Sequence, residues 1–227
     1  MQLVIPTLWK SKSLVESLNR YLQLSFVERI LLVDNAALER PGDLGSLAKD
    51  ARLLMLPQHQ NIYVNPSWNL AVAQISDPNT LVGILNDDVS LSPKALAEMN
   101  ARSWQVGEVV GLMPDSDLTD LSLSRETGIR LIPVHHDVKQ SIGQQLPGFG
   151  SAMFLLRATY RTIPPCFQIW YGDDWLLRSA TRIFGIHDPG LRREHHVTMR
   201  DLRKSSSFRS ILSNDRRSAA QLFGFEQ

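Results

Sequence analysis

The sequence predicts an α/β domain with a Rossmann-like, mostly parallel sheet flanked by helices, and three observations carry that expectation. Strand-like and helix-like segments alternate through the first third of the chain. The strand-like segments are unbroken apolar runs rather than alternating ones, as expected where helices cover both faces of a parallel sheet. Each run stops at proline, asparagine or aspartate. Polar groups therefore gather at the carboxyl ends of the strands, where ligands bind in open α/β sheets.

Leu3-Val4-Ile5 is the first run, stopped by Pro6-Thr7. Residues 11–24 then place Leu14, Leu18, Tyr21 and Leu22 at helical spacing, with Ser11 or Ser13 as the cap. Arg29 to Val33 is the second run and ends at Asp34-Asn35; Arg52 to Leu56 is the third, ended by Pro57. Residues 66–76 read as a helix entered through Pro66-Ser67, and Leu81 to Leu85 is a fourth strand closing on Asn86-Asp87-Asp88. Ser92-Pro93 opens another helix, with serine at the N-cap and proline at the first helical position. The repeated strand, helix, strand order predicts right-handed crossovers. After residue 107 the regularity declines. Val109 to Met113, Ile129 to Val134 and Ala152 to Leu156 read as strands, residues 114–128 as loop, and Trp175 to Ile183 as a helix. The segment after Ser205 is polar, basic and weakly periodic, and reads as a tail over 205–227 beyond one domain over 1–204.

A chain of 227 residues with 43% hydrophobic and 21% charged residues suits one large domain. Its net charge of +1 removes the simplest argument for a nucleic-acid or membrane-surface protein. The charge is unevenly spread, because residues 182–217 hold nine Arg or Lys against four Asp or Glu. Cys166 is the only cysteine, which excludes an intrachain disulfide and a cysteine-based zinc cluster. Met1 to Pro6 lacks a basic region followed by an apolar stretch, and no run approaches the length of a membrane span. A cytoplasmic protein is expected.

Two acidic pairs carry chemistry. Asn86-Asp87-Asp88 follows a strand directly and offers the oxygen donors a hard divalent cation takes, although Asp-Asp in this position also suits a plain turn. Tyr171-Gly172-Asp173-Asp174-Trp175 sets two adjacent carboxylates among aromatics, a setting that raises a pKa and suits a general base, while helix capping explains the same residues. The pairs His135-His136 and His195-His196 are not metal ligands on spacing alone.

In this order the motifs resemble the nucleotide-sugar-dependent glycosyltransferases of the GT-A fold, in particular the broad family-2-like group. Val4-Ile5-Pro6-Thr7 is similar to the family's first strand and nucleotide loop, and Ile30 to Asn35 to its second strand, whose terminal Asp34 would bind the nucleotide base. Asn61 to Val72, with Trp68 and Asn69, resembles a further nucleotide-side segment, with Ile62-Tyr63 and Leu70-Ala71 where the family has glycines. Leu85-Asn86-Asp87-Asp88 falls at the acidic motif that binds metal and diphosphate, which implies Asp88 as metal ligand with Asn86 and Asp87 on the donor; His195 or His196 resembles the late metal-binding histidine. The Gly150 segment is similar to the acceptor side, together with Trp170 and Tyr171, and Asp173-Asp174 resembles the motif carrying the catalytic base. The resemblance implies residues 1–105 as the nucleotide-sugar half, 106–204 as the acceptor half, Mn²⁺ or Mg²⁺ as cofactor, Asp174 as base and Asp173 positioning hydroxyls in an inverting transfer. The basic C-terminal segment, with Arg192, Arg193, Arg200, Arg203, Lys204, Arg209, Arg216 and Arg217, could bind the donor diphosphate, an anionic lipid-linked acceptor or DNA phosphates, which makes a hydroxymethylated base in DNA an alternative to a saccharide acceptor. A non-catalytic nucleotide-sugar-binding protein is the alternative outside enzymes. A Rossmann dehydrogenase is disfavoured, since Pro6-Thr7-Leu8-Trp9 stands where its glycine fingerprint belongs.

Overall fold

The computed structural model describes residues 1–36, 44–113, 128–135, 148–194 and 205–224. The four apolar runs of the first half become β1 (Gln2–Thr7), β2 (Arg29–Asp34), β3 (Leu53–Pro57) and β4 (Leu81–Leu85), all parallel and ordered β3-β2-β1-β4. The sheet continues beyond β4 with mixed direction. β8 (Ala152–Leu156) is antiparallel to β4, and β6 (Glu108–Leu112) is antiparallel to β8. β9 (Arg182–His187) lies parallel to β6, and β7 (Arg130–Pro133) closes the edge antiparallel to β9. Eight described strands thus form one mostly parallel α/β sheet.

Alternate residues of each strand feed two cores. Leu3, Ile5, Ile30 and Leu32 face one side with Leu14, Leu18 and Tyr21 of α1 (Leu14–Leu22) and Ala95, Leu96 and Met99 of α3 (Pro93–Ala101). Val4, Leu31, Val33 and Ile84 face the other, against Trp68, Ala71 and Val72 of α2 (Val64–Val72). Leu176 and Leu177 of α4 (Gly172–Leu177) and Ala219 and Phe223 of α5 (Ser206–Phe223) complete that second core. Both faces are covered, which is why the runs carry no polar alternation.

Helix starts follow local chemistry only in part. Ser92 caps α3 by accepting from the Ala95 N–H at 3.1 Å, with Pro93 at the first helical position as expected. Ser13 sits at the cap of α1 without a side-chain bond; the Glu194 carboxylate accepts from the Lys12 and Ser13 N–H groups at 3.1 and 2.6 Å instead. α2 begins two residues before the expected Pro66. The described part of the β2–β3 connection holds a 3-10 turn at Gly45–Lys49 rather than an α-helix.

Two expectations are corrected in the second half. The window 175–183 is not one helix: α4 ends at Leu177, and Arg182 to His187 is a strand with β6 and β7 on its flanks. Leu176, Leu177, Ile183 and Phe184 share an apolar spacing that straddles two short elements, so periodicity alone merged them. The presumed tail is the 18-residue helix α5, ended by Gly224 at φ 71°, a left-handed residue closing a bond to the Ala220 carbonyl at 3.0 Å. Its buried positions, Ile211, Asp215, Ala219 and Phe223, include a charged one, which is why its amphipathic pattern reads as weak. The loop expected over 114–128 lies outside the described residues apart from Gly128.

Gly111 of β6 admits the Phe149 ring, which is fully buried against it. A Cβ at Gly111 would lie 2.1 Å from Phe149 Cε1. Gly111→Ala is expected to cost about 1–3 kcal/mol through overpacking, read as a lower midpoint in chemical denaturation; an unchanged midpoint would contradict this packing.

Candidate functional site

Because β1, β2 and β4 are parallel, their polar ends meet at one edge of the sheet. Pro6, Thr7, Leu8 and Lys10 after β1, Asn35 after β2, and Asn86, Asp87 and Asp88 after β4 line one side of a cleft there. Asn61, Tyr63 and Val64 at the start of α2, with Ile169 and Phe208, form the other side. One wall is acidic and amide-rich and the other largely apolar, as in pockets that take an amphipathic ligand.

The acidic wall is tied together across the sequence. The Thr7 hydroxyl donates to Asp87 Oδ2 at 2.7 Å and accepts from the Trp9 N–H at 2.8 Å. Burial pushes the Asp87 carboxyl up to about 6, and the neighbouring Asp88 and Glu194 charges push the same way against hydrogen bonds from Thr7 and Leu8. A short antiparallel pair, β5 (Val89–Ser90) with β10 (Arg192–Arg193), and a bond from the Glu194 N–H to the Asp88 carbonyl at 2.9 Å bring the basic segment to this edge. Arg193 lies against Gly148, and its Nη2 donates to Ser151 Oγ at 3.3 Å. Its buried Nε has no hydrogen-bond partner among the described residues. The sequence offers Arg193 for the donor diphosphate only as one of eight cations in a basic segment; the β5–β10 pairing is what singles it out, by carrying it to the acidic wall.

The second acidic pair opens α4. A Cβ at Gly150 would lie 2.4 Å from Asp173 Oδ2, so only glycine lets the Asp173 carboxylate approach the Phe149–Ser151 turn. Burial pushes the Asp173 carboxyl up, opposed by hydrogen bonds from the backbone of Asp174, Asp173 and Gly150. Asp174 is 4% exposed. The turn over 148–151 therefore lies between Arg193 on one side and Asp173 on the other.

Of the residues expected at the site, Pro6, Thr7, Asn61, Asn86, Asp87 and Asp88 line the cleft. Asp34 sits one residue behind it, fully buried, with Oδ1 accepting from the Trp9 indole at 2.9 Å and from the Ala36 N–H at 3.2 Å; Asn35 lines the cleft in its place. Trp68 and Asn69 are not brought to the cleft. The Trp68 ring packs in the core beneath the sheet. The Asn69 amide accepts from the Tyr160 hydroxyl and the Ile163 N–H and donates to the Ile163 carbonyl, at 2.8 to 2.9 Å. Trp68, Ala71 and Val72 stand at helical spacing on one buried face of α2, and that spacing is the signal that could have moved Trp68 into the core. Gly150, Trp170 and Tyr171 cluster around the start of α4, while His195 and His196 lie outside the described residues.

Backbone strain marks the same edge. Trp9, Tyr63 and Tyr171 are the described non-glycine residues with positive φ, at 58°, 68° and 64°. Bulky residues hold this conformation only where their surroundings over-determine it, commonly at ligand sites.

No protein-family model matches the sequence, and no curated relative is found by sequence. Solved structures do match. The glycosyltransferase TarS of S. aureus is 12% identical in a structure of its residues 1–349, with 81% of this chain covering 57% of that one at a TM-score of 0.53. A longer TarS structure gives 13%, 96%, 43% and 0.56. The chain thus spans about half the length of these two neighbours. The inositol-1-phosphate CTP transferase of T. maritima is 13% identical, with 95% of this chain covering 96% of that one at 0.52. The chain has a GT-A-type fold. Identities this low speak for the GT-A fold and leave the chemistry to the residues at its edge.

An aspartate whose folded pKa is raised destabilises the fold where it is ionised, so the cost is absent below about pH 4 and complete above about pH 6. Asp87→Asn is expected to stabilise the ligand-free chain by roughly 3 kcal/mol near pH 8, with the gain vanishing towards pH 4. Calorimetric midpoints across that range check it; a gain that grows on acidification would refute the assignment.

Proposed function

We propose that the chain transfers a glycosyl group from a nucleotide-diphosphate sugar to an acceptor hydroxyl, assisted by Mn²⁺ or Mg²⁺. The observation that carries this reading is the convergence at one sheet edge of a half-apolar cleft, an acidic pair with a raised Asp87, and a second acidic pair held on the Phe149–Ser151 turn. Asn86, Asp87 and Asp88 would present oxygen atoms to a hard divalent ion, and a bound cation would offset the burial, and after it the Asp88 repulsion, that raise Asp87. Such an ion, when bound, neutralises charge on the diphosphate.

The protein's own groups account for the rest. Thr7 and Asn35, tied to Asp87 and Ser67, form the polar floor beneath the nucleotide, with Tyr63, Val64, Ile169 and Phe208 against its apolar faces. Arg193, permanently charged and carried to this edge by the β5–β10 pair, brings its guanidinium charge to the leaving diphosphate. Asp173, held by backbone N–H groups, anchors the acceptor side, and Asp174 takes the proton of the acceptor hydroxyl. The new bond joins the acceptor oxygen to the anomeric carbon as the bond to the diphosphate oxygen breaks. A base facing the leaving group implies inversion at that carbon.

The match to a CTP transferase over 95% of this chain and 96% of that one favours nucleotidyl transfer as the second reading. Pyrophosphate release from a nucleoside triphosphate and a sugar phosphate, without turnover of any nucleotide sugar, would select it. Arg209, Arg216 and Arg217 are exposed on α5 and suit an anionic acceptor, DNA among them. Salt-sensitive retention on duplex DNA would favour that acceptor.

A thermal-shift panel of nucleoside diphosphates with and without Mn²⁺ identifies the donor by stabilisation. Against that donor, Asp174→Asn is expected to lower kcat by about 10²–10⁴-fold with nucleotide affinity kept within about threefold. Arg193→Ala is expected to weaken diphosphate binding by about tenfold. If Asp174→Asn keeps its turnover while Asp173→Asn abolishes it, the two roles are exchanged; a product retaining the donor's anomeric configuration excludes inversion.

A further inference from the structure

The sequence pattern offers no reason for a carboxylate in the middle of a basic helix, yet Asp215 of α5 is 1% exposed. Three successive backbone N–H groups converge on it. Gln168 donates at 3.1 and 3.2 Å to its two oxygens, Ile169 at 2.9 Å and Trp170 at 3.0 Å to Oδ2. Consecutive N–H groups arranged in this way form an anion nest, here filled by the chain's own side chain. The carbonyls of the same loop point to the opposite helix: Gln168 accepts from the Asn65 N–H and Trp170 from the Asn65 side-chain amide, both at 3.0 Å. The loop over 168–170 is thus held on its acceptor side by α2 and on its donor side by α5. It carries Ile169 into the cleft and passes through Tyr171, at φ 64°, into the turn that bears Asp173 and Asp174. Phe208, two turns earlier on α5, lines the cleft as well.

We infer that Asp215 is a positioning residue: its carboxylate sets the 168–171 loop, and through it the Asp173–Asp174 turn, so that the C-terminal helix belongs to the reacting site rather than trailing from it. This rests on the reading of that pair as the reacting carboxylates. Charge-assisted bonds to three amides fix the loop more firmly than neutral ones, and a reacting carboxylate displaced by about 1 Å loses on the order of 100-fold in rate.

The test compares the wild-type chain with Asp215→Ala and Asp215→Asn, measuring Mn²⁺-dependent turnover of the nucleotide sugar, nucleoside-diphosphate affinity, and hydrogen exchange of the amides over 168–170. Asp215→Ala is expected to lose the local protection and about 100-fold in kcat, with nucleotide affinity changed by less than about threefold. Asp215→Asn, which keeps an accepting oxygen, is expected to recover about tenfold of that loss. Unchanged turnover or unchanged exchange in Asp215→Ala overturns the inference. So does a loss of turnover and affinity together that Asp215→Asn does not relieve, since that is the behaviour of a generally loosened fold. A wild-type chain that turns over no nucleotide sugar refutes the proposed function instead; the exchange measurement then decides the anchor alone, upheld if protection over 168–170 depends on Asp215 and overturned if it does not.

Discussion

Burial of β1, β2 and β4 on both faces is the constraint from which the site follows. Leu3, Val4, Ile30 to Val33, Val82 and Ile84 have no measurable exposure, and a charge placed among them would have neither water nor a partner. Polar side chains are therefore displaced to the strand ends, and because the three strands are parallel those ends coincide. Thr7 and Asp87, eighty residues apart, are hydrogen-bonded for this reason. The cleft is a consequence of sheet direction before it is a feature of any particular residue.

Holding that edge in shape costs stability. Asp87 is kept partly desolvated beside Asp88 and Glu194, and three bulky aromatics adopt left-handed backbone there. Their neighbours offset the strain: the Thr7 hydroxyl and Leu8 N–H bond Asp87, the Trp9 indole bonds Asp34, and the Tyr171 ring packs against Phe167 and Phe223. Raised carboxyl groups and strained backbone in one cleft are the pattern expected where a site is kept ready for a ligand at the expense of the empty fold.

The other half of the site is assembled from distant parts. Strands β6 and β8 and the Phe149 ring seat the 148–151 turn, with Arg193 and Asp173 on its two sides. Helices α2 and α5 then grip the 168–170 loop from opposite directions. Each half of the cleft therefore shares a framework with the other, through α2 and through Phe208.

The parallel half, its strand ends and the α3 cap followed from the sequence alone, because each depends on residues close together in the chain: an apolar run, the polar residue that stops it, a serine before a proline. The acidic motifs at 86–88 and 173–174 were legible for the same reason. Trp68 and Asn69 looked like nucleotide-side residues by order along the chain, but which face of α2 meets the sheet turned one into core and the other into a loop tie. Phe208 and Asp215 carried no local signal and Arg193 only that of a basic segment, since an aromatic, an arginine and an aspartate in a polar segment are ordinary. Tertiary packing gave each of them its partner, and a partner remote in sequence is what local pattern cannot encode.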